Sequence, residues 1–480
     1  MPKTVQHVQP PLHFIPTHYT PWVIRLIHWV LPLLLRFRIR PWLPAGISRI
    51  KVEHVERLVD LYAQLEAGKV RFLMATRHVE VDDPLTGLYL CSRAVSKAAK
   101  AKGIKLQHPV HTHFIYERGM TIWAGKSLGW LLSRIGGTPI RRGRRPDWIG
   151  LKAARRLLTS GNMPMVVAPE GATNGHSERL GPLEPGVAQL GFWCAEDLQK
   201  EDRAETVYII PIGIQYRYEQ PSWTKLSQLL TKLEKESGLT KVGQQNSLTA
   251  KTTDRKNCYH RILQLGVHLL KTMEAFYSHN YPQSSSDLSS TEAETHNDAS
   301  TAPEVQISKR LPQLLDSALS VSEQFFKLPG KGTLVDRCRR IEEASWQYIY
   351  REDLPDLKTL SPLEKGLADW AAKEASLREL HMRVVESFVA VDGDYLKENP
   401  SFERCAEVTL LMSDMLGRLS GDKRPSRVRL GKRWVKMTVQ PPLSVSDRLP
   451  SYQANRRSGR VAVAALTEEI RLALEATIER

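Results

Sequence analysis

The chain has 480 residues, 41% of them hydrophobic and 25% charged, and carries a formal net charge of +16 at pH 7. That length exceeds what one compact core usually fills, and the excess of positive charge implies an anionic partner: nucleic acid, a lipid surface or an acidic carrier. Five scattered cysteines (Cys91, Cys194, Cys258, Cys338 and Cys405) form no C-x-x-C pair, which speaks against a zinc site or a disulfide framework and for a reducing compartment.

No apolar run ending at a small-residue cleavage site opens the chain, so no secretory signal is expected. Residues 22–39 are apolar, but their longest uncharged run lies between Arg25 and Arg36, short of the roughly 20 residues that span a bilayer. Trp22, Trp29 and the basic end Arg36-Phe-Arg-Ile-Arg40 describe a segment lying in a membrane interface. The alternative is a helix covering the domain's own core. Residues 1–49 are therefore expected to be an N-terminal membrane-associating segment.

From 50 to 219 short apolar strands alternate with helices, the pattern of an α/β domain. Strands are predicted at 70–75, 110–115, 137–140, 165–168 and 207–216, and helices at 85–102, 149–158 and 186–195. Residues 220–429 read as helical, with helices at 225–235, 260–277, 311–326, 334–350, 362–390 and 402–419. Within them, a Ser/Thr/Asn/Asp/Glu-rich stretch at about 278–308 lacks the apolar surface to offset its ordering entropy, so disorder is expected there. A strand at 434–439 and a helix at 461–478 return to α/β character. The expected fold is thus an α/β mixed sheet flanked by helices, with a large helical insertion before its last strand, residues 430–480 completing the sheet. A contiguous two-domain layout is the rival.

Two motifs carry chemistry. Ala75-Thr-Arg-His-Val-Glu-Val-Asp-Asp-Pro84 contains an H-x4-D pair, His78 and Asp83. A neutral imidazole is the usual side chain for deprotonating an alcohol near neutral pH. A carboxylate on its other ring nitrogen fixes the tautomer and favours the imidazolium that forms. Asp82 could take the same part. The second motif, Val167-Ala-Pro-Glu-Gly171, is a turn after an apolar run, where backbone N–H groups become available to an anion.

The order of these blocks resembles the glycerolipid acyltransferase family, in particular its 1-acylglycerol-3-phosphate acyltransferase-like branch. The blocks are His78–Asp83, Gly129-Trp-Leu-Leu-Ser-Arg-Ile-Gly-Gly-Thr-Pro-Ile-Arg-Arg142, Ala168-Pro-Glu-Gly171 followed by Glu184-Pro-Gly-Val-Ala188, and Ile209-Ile-Pro-Ile-Gly213. The resemblance implies that His78 is the general base, held by Asp83. It implies that Arg142 pairs with the acceptor's phosphate through its planar donor fork, and that Glu170 and Gly171 shape the acceptor site with turn N–H groups aimed at phosphate. It also implies acyl transfer from acyl-CoA or acyl carrier protein, with no metal or cofactor, to a glycerolipid at the cytoplasmic face of a membrane. The third block departs from the family: the phosphate-facing arginine position is Thr173, so Arg141, Arg179 or His176 would supply the charge, or the acceptor is a different lysophospholipid. A non-catalytic lipid-binding scaffold is the reading from another class.

Other signals carry less. Ala124-Gly-Lys-Ser127 lacks the first glycine of a P-loop, since Met120 stands there. His108, His111 and His113 have no carboxylate or cysteine nearby in sequence, which favours cleft lining or surface over metal. The basic run Arg134, Arg141, Arg142, Arg144 and Arg145 lacks the interleaved aromatics of a nucleic-acid site, and no nucleic acid is expected as a partner.

Overall fold

The computed structural model describes residues 5–37, 46–121, 125–141, 147–239, 255–284, 302–354, 356–388, 394–421 and 428–479. The chain divides into two compact units. Phe14–Arg141, Pro146–Gln220 and Gly431–Arg480 form a sheet unit, whereas Pro221–Leu430 joins Met1–His13 in a helical unit.

The sheet unit is built on strands β1 (Ile47–Glu53), β2 (Val70–Thr76), β3 (His113–Glu117), β4 (Gly137–Ile140), β5 (Met165–Val167), β6 (Thr206–Tyr218), β7 (Arg433–Val439) and β8 (Leu443–Ser444). Their order is β1-β7-β6-β2-β5-β3-β4, with β8 beside β6. Strand β2 runs parallel to β5 and β6, and β6 runs antiparallel to β7. The sheet is therefore mixed and mostly parallel, and the helical insertion falls between β6 and β7. Both faces are covered, so strand residues alternate between two apolar layers. On β2, Val70, Phe72 and Met74 join one core and Leu73 and Ala75 the other. Helices Glu56–Glu66 and Asp83–Tyr89, the latter continued through Leu90–Val95 to Ala101, cover the first layer. Helices Trp148–Ser160, Gly186–Lys200 and Arg456–Glu475 cover the second.

Helix Pro21–Arg36 starts with proline in its first turn, where a missing N–H costs nothing. It buries Val23, Ile24, Leu31 and Leu35 in the sheet unit, while Trp22, Leu26, Trp29, Leu33 and Phe37 face outward. The helix thus covers part of the domain's own core and leaves an apolar outer face accessible. No helix among the described residues is long and apolar enough to cross a membrane.

The helical unit contains Trp223–Glu236, Arg255–Asn280, Pro303–Phe326, Leu334–Ile349, Pro362–Phe388 and Phe402–Leu419. Residues 5–13 belong with it rather than with helix Pro21–Arg36. Val8 N–H donates to Asp369 Oδ1 at 2.8 Å and Gln9 N–H to the Ile349 carbonyl at 2.7 Å. The disorder expected for 278–308 is corrected at both ends. Residues 278–280 finish one helix, Pro282–Ser284 form a 3₁₀ turn, and 303–308 begin another helix, with Pro303 in its first turn. Residues 285–301 lie outside the described residues.

Gly213, in β6, sits against the end of the C-terminal helix: a Cβ there would meet Thr477 Oγ1 at 2.1 Å and its Cβ at 2.4 Å. Gly213→Val is expected to overpack this seam and destabilise the sheet unit by about 1–3 kcal/mol. Urea unfolding of the full chain measures it, and an unchanged midpoint would refute this packing.

Candidate active site

His78 and Asp83 lie just past the carboxyl end of β2, the end of a parallel sheet at which open α/β folds place ligands. Asp83 opens the helix that continues to Ala101, so its carboxylate also sits at the favourable end of the helix dipole. His78 Nδ1 is 3.0 Å from Asp83 Oδ2. An ionised carboxylate only accepts, so a neutral His78 ring paired with it carries its proton on Nδ1 and leaves the Nε2 lone pair free. The histidine side chain stays 27% accessible while that of Asp83 is 7% accessible, a half-buried imidazole on a buried carboxylate.

Asp83 is itself held. Its Oδ2 accepts from Glu80 N–H at 3.0 Å and its Oδ1 from the Tyr216 hydroxyl at 2.7 Å. Burial, reinforced by Asp83 and Asp82, pushes the Tyr216 hydroxyl well above its ordinary range, so it remains a donor. Asp82, the other candidate orienter, is turned elsewhere: it and Glu80 receive the Arg433 guanidinium, at 3.3 and 2.9 Å. Burial opposes the charge on Arg433, but Glu80 leads the neighbours that outweigh it and raise its pKa. The same guanidinium lies 4.7 Å over the Tyr216 ring, a cation–π contact that closes the network.

The turn after β5 is tied to the His78 loop by backbone and side chain alike. Glu170 Oε1 accepts from His78 N–H at 2.8 Å, and its Oε2 from Gly181 N–H at 2.8 Å and Asn174 Nδ2 at 2.5 Å. Asn174 N–H donates to the His78 carbonyl and Gly175 N–H to that of Val79, both at 3.0 Å. Beneath them, buried Arg77 gathers the carbonyls of His176, Ser177, Arg179 and Ile214. Gly171 takes φ +74°, a conformation suited to glycine.

Glu170 and Gly171, expected at an acceptor site, make these contacts within the protein. The Glu170 oxygens bracket two loops, and the Gly171 N–H donates to the Ala168 carbonyl at 3.1 Å rather than pointing outward to an anion. Thr173 is exposed. Arg179 offers its carbonyl to Arg77 and Asn174, and Arg141 N–H donates to Asp147 at 2.8 Å. Arg142 lies outside the described residues, as do Arg144 and Arg145. Gly129-Trp130, which opens the second block, stands inside helix Lys126–Arg134. A Cβ on Gly129 would lie 2.7 Å from both Ile15 and Thr121, so close packing accounts for the glycine.

Tyr216 and Arg433 were missed by sequence reasoning. The available signal was period two: Ile210, Ile212, Ile214 and Tyr216 share one face of β6, and Arg433, Val435, Met437 and Val439 alternate as buried positions on β7.

Residues 103–215 match the family model described as Acyltransferase. The matched stretch includes the second, third and fourth blocks and begins after Asp83. No curated protein matches the chain.

The histidines expected to line a cleft or the surface divide. His108 is exposed, whereas His111 and His113 are buried. His111 stacks on Tyr19 at 6.1 Å and meets His28 edge-on at 5.8 Å. Among the described residues no cluster of three or more histidine, cysteine, aspartate or glutamate side chains is arranged to hold a metal. Burial lowers His111 to about 3 and His28 to about 4. Between pH 3 and the ordinary 6.5, the unfolded chain binds a proton at His111 that the folded chain refuses. This contribution is fully present above pH 6.5 and is lost as pH falls toward 3, by up to about 1.4 kcal/mol per pH unit. Denaturant unfolding of His111→Phe between pH 7 and 4.5 should show a flatter dependence than the parent; an equal slope would remove His111 from the acid response.

Proposed function

We propose that the chain is a membrane-surface O-acyltransferase that moves a fatty acyl group from a coenzyme A or acyl carrier protein thioester to the free hydroxyl of a lysophosphatidate-like glycerolipid. The observation that carries this reading is the 3.0 Å hydrogen bond between His78 and Asp83, held at the carboxyl end of β2 in a chain whose residues 103–215 match the Acyltransferase family model. His78 Nε2 takes the acceptor's hydroxyl proton as its oxygen attacks the thioester carbonyl. The tetrahedral intermediate collapses with loss of the thiolate, which receives the proton from the imidazolium. Asp83 stabilises that imidazolium, and Tyr216 and Glu80 N–H hold Asp83 in place. No covalent acyl-enzyme is required.

Such a base typically contributes 10²–10⁴-fold, so His78→Ala should lower the rate of thioester consumption with lysophosphatidate by about that factor. Tyr216→Phe removes one hydrogen bond to a charged group and should lower it by roughly tenfold. Undiminished transfer by purified His78→Ala protein refutes the assignment, and no transfer by the parent protein favours the scaffold reading.

A second acceptor class is favoured by the third block. Thr173 occupies the phosphate-facing arginine position, and the Gly171 N–H is engaged within its own turn. Lysophosphatidate and neutral-head lysophospholipids offered side by side decide between them: preference for lysophosphatidate supports the first reading, and preference for the others the second.

Membrane contact, on the cytoplasmic face, is assigned to the outer face of helix Pro21–Arg36, where Trp22 and Trp29 are 62% and 76% accessible. Indole rings with arginine neighbours suit an interface. Because Val23, Ile24 and Leu31 are core residues, point substitution separates binding from folding where deletion would not. The double variant Trp22→Ala/Trp29→Ala should lose at least tenfold in affinity for vesicles containing phosphatidylglycerol, with an unchanged thermal midpoint. Retained binding would exclude this face.

A further inference from the structure

The helical unit holds an apolar cleft whose empty space, open solvent included, is about 790 Å³. Helices Arg255–Asn280, Pro303–Phe326, Pro362–Phe388, Asp394–Glu398 and Phe402–Leu419 all contribute to its wall, through residues that include Leu263, Met273, Leu311, Ala318, Val384 and Met412. Among the described residues the lining contains only apolar side chains and Gly266. A polar group entering it would lose its hydration and find no replacement partner. Water gains nothing there either, since a buried water needs two to four polar partners.

Protein cores normally close over such space, because a void deprives its lining of contacts. Here polar links beside the cavity join the helices that form it. Arg310 grips Glu274 through two nitrogens, one of them at 3.0 Å, next to the lining residues Leu311 and Met273. The Tyr259 hydroxyl donates to Glu304 at 2.7 Å between the same two helices. Gly266, in a helix interior where glycine lowers stability, withholds a side chain whose Cβ would stand 3.3 Å from Ile307. Three methionines in the wall, Met273, Met412 and Met415, supply unbranched, adaptable surface suited to a flexible ligand.

We propose that this cavity binds the hydrocarbon tail of a fatty acyl chain, with the polar head left at the solvent-open side. The lining chemistry selects an aliphatic tail; the choice of a fatty acyl chain among aliphatic compounds rests on the acyl-transfer reading above. The site belongs to the helical unit, whereas His78 and Asp83 belong to the sheet unit.

The test is photolabelling of the purified full-length chain with a diazirine analogue of palmitate, followed by peptide mapping. Adducts should appear on peptides from 255–280, 303–326 or 402–419 and be displaced by excess palmitate. They should persist in His78→Ala protein, so that failure of the catalytic assignment leaves them untouched. The cavity-filling variants Ala318→Phe and Gly266→Leu, each checked for folding by circular dichroism, should lose at least tenfold of this labelling, whereas Met412→Leu should retain it. Adducts confined to 47–220 and 433–479, adducts that palmitate does not displace, or adducts undiminished in a folded filling variant would each overturn the proposal.

Discussion

The carboxylate of Asp83 is the point on which the site is built. It receives donors from three directions: the His78 ring, the Glu80 backbone and the Tyr216 hydroxyl. A buried carboxylate is costly unless its oxygens are met by hydrogen bonds, and each donor that meets them also fixes its direction. The imidazole gains a single tautomer and a single lone-pair direction as a consequence. Local chain supplies two of these donors, since His78 and Glu80 flank the turn into the helix that Asp83 begins. The third comes from β6, which extends past the point where its pairing with β2 ends at Thr76 and Ile212.

That overhang explains why a strand from beyond the insertion matters to the site. β7 runs antiparallel along the extended part of β6, placing Val435 opposite Tyr216 and Arg433 opposite Tyr218. Arg433 neutralises Glu80 and Asp82 and lies over the Tyr216 ring. Removing one partner from such a buried set leaves an uncompensated charge, which costs more than the intact pair contributes. The chain can therefore carry a helical unit between β6 and β7 only if β7 returns to its place beside the His78 turn. The turn after β5 is bound to the same loop through Glu170 and Asn174, so the altered residues after Gly171 retain a structural part beside His78.

Much of this was legible in sequence, and the boundary follows interaction range. Periodicity revealed most strands and helices because each repeats over several residues, and the α/β sheet interrupted before its last long strand follows from their order. His78 and Asp83 were legible because they lie five residues apart, within one turn. Tyr216 and Arg433 were not, because their partners are distant in sequence and strand register alone decides whether they meet. Composition also blurred edges. The polar residues after Tyr277 complete a helix whose apolar stripe precedes them, and Pro303 starts the next helix inside a stretch that averages as polar.

Asp83 holds the neutral His78 ring with its proton on Nδ1 and its lone pair on Nε2. Nitrogen-15 NMR of histidine-labelled protein near neutral pH, with the His78 signals assigned by their loss in His78→Ala, reads this tautomer directly. A protonated Nδ1 beside an unprotonated Nε2 in the parent, with the arrangement reversed or averaged in Asp83→Asn, is the expected result. A parent protein whose His78 carries its proton on Nε2, or whose tautomer is unchanged by Asp83→Asn, would contradict it.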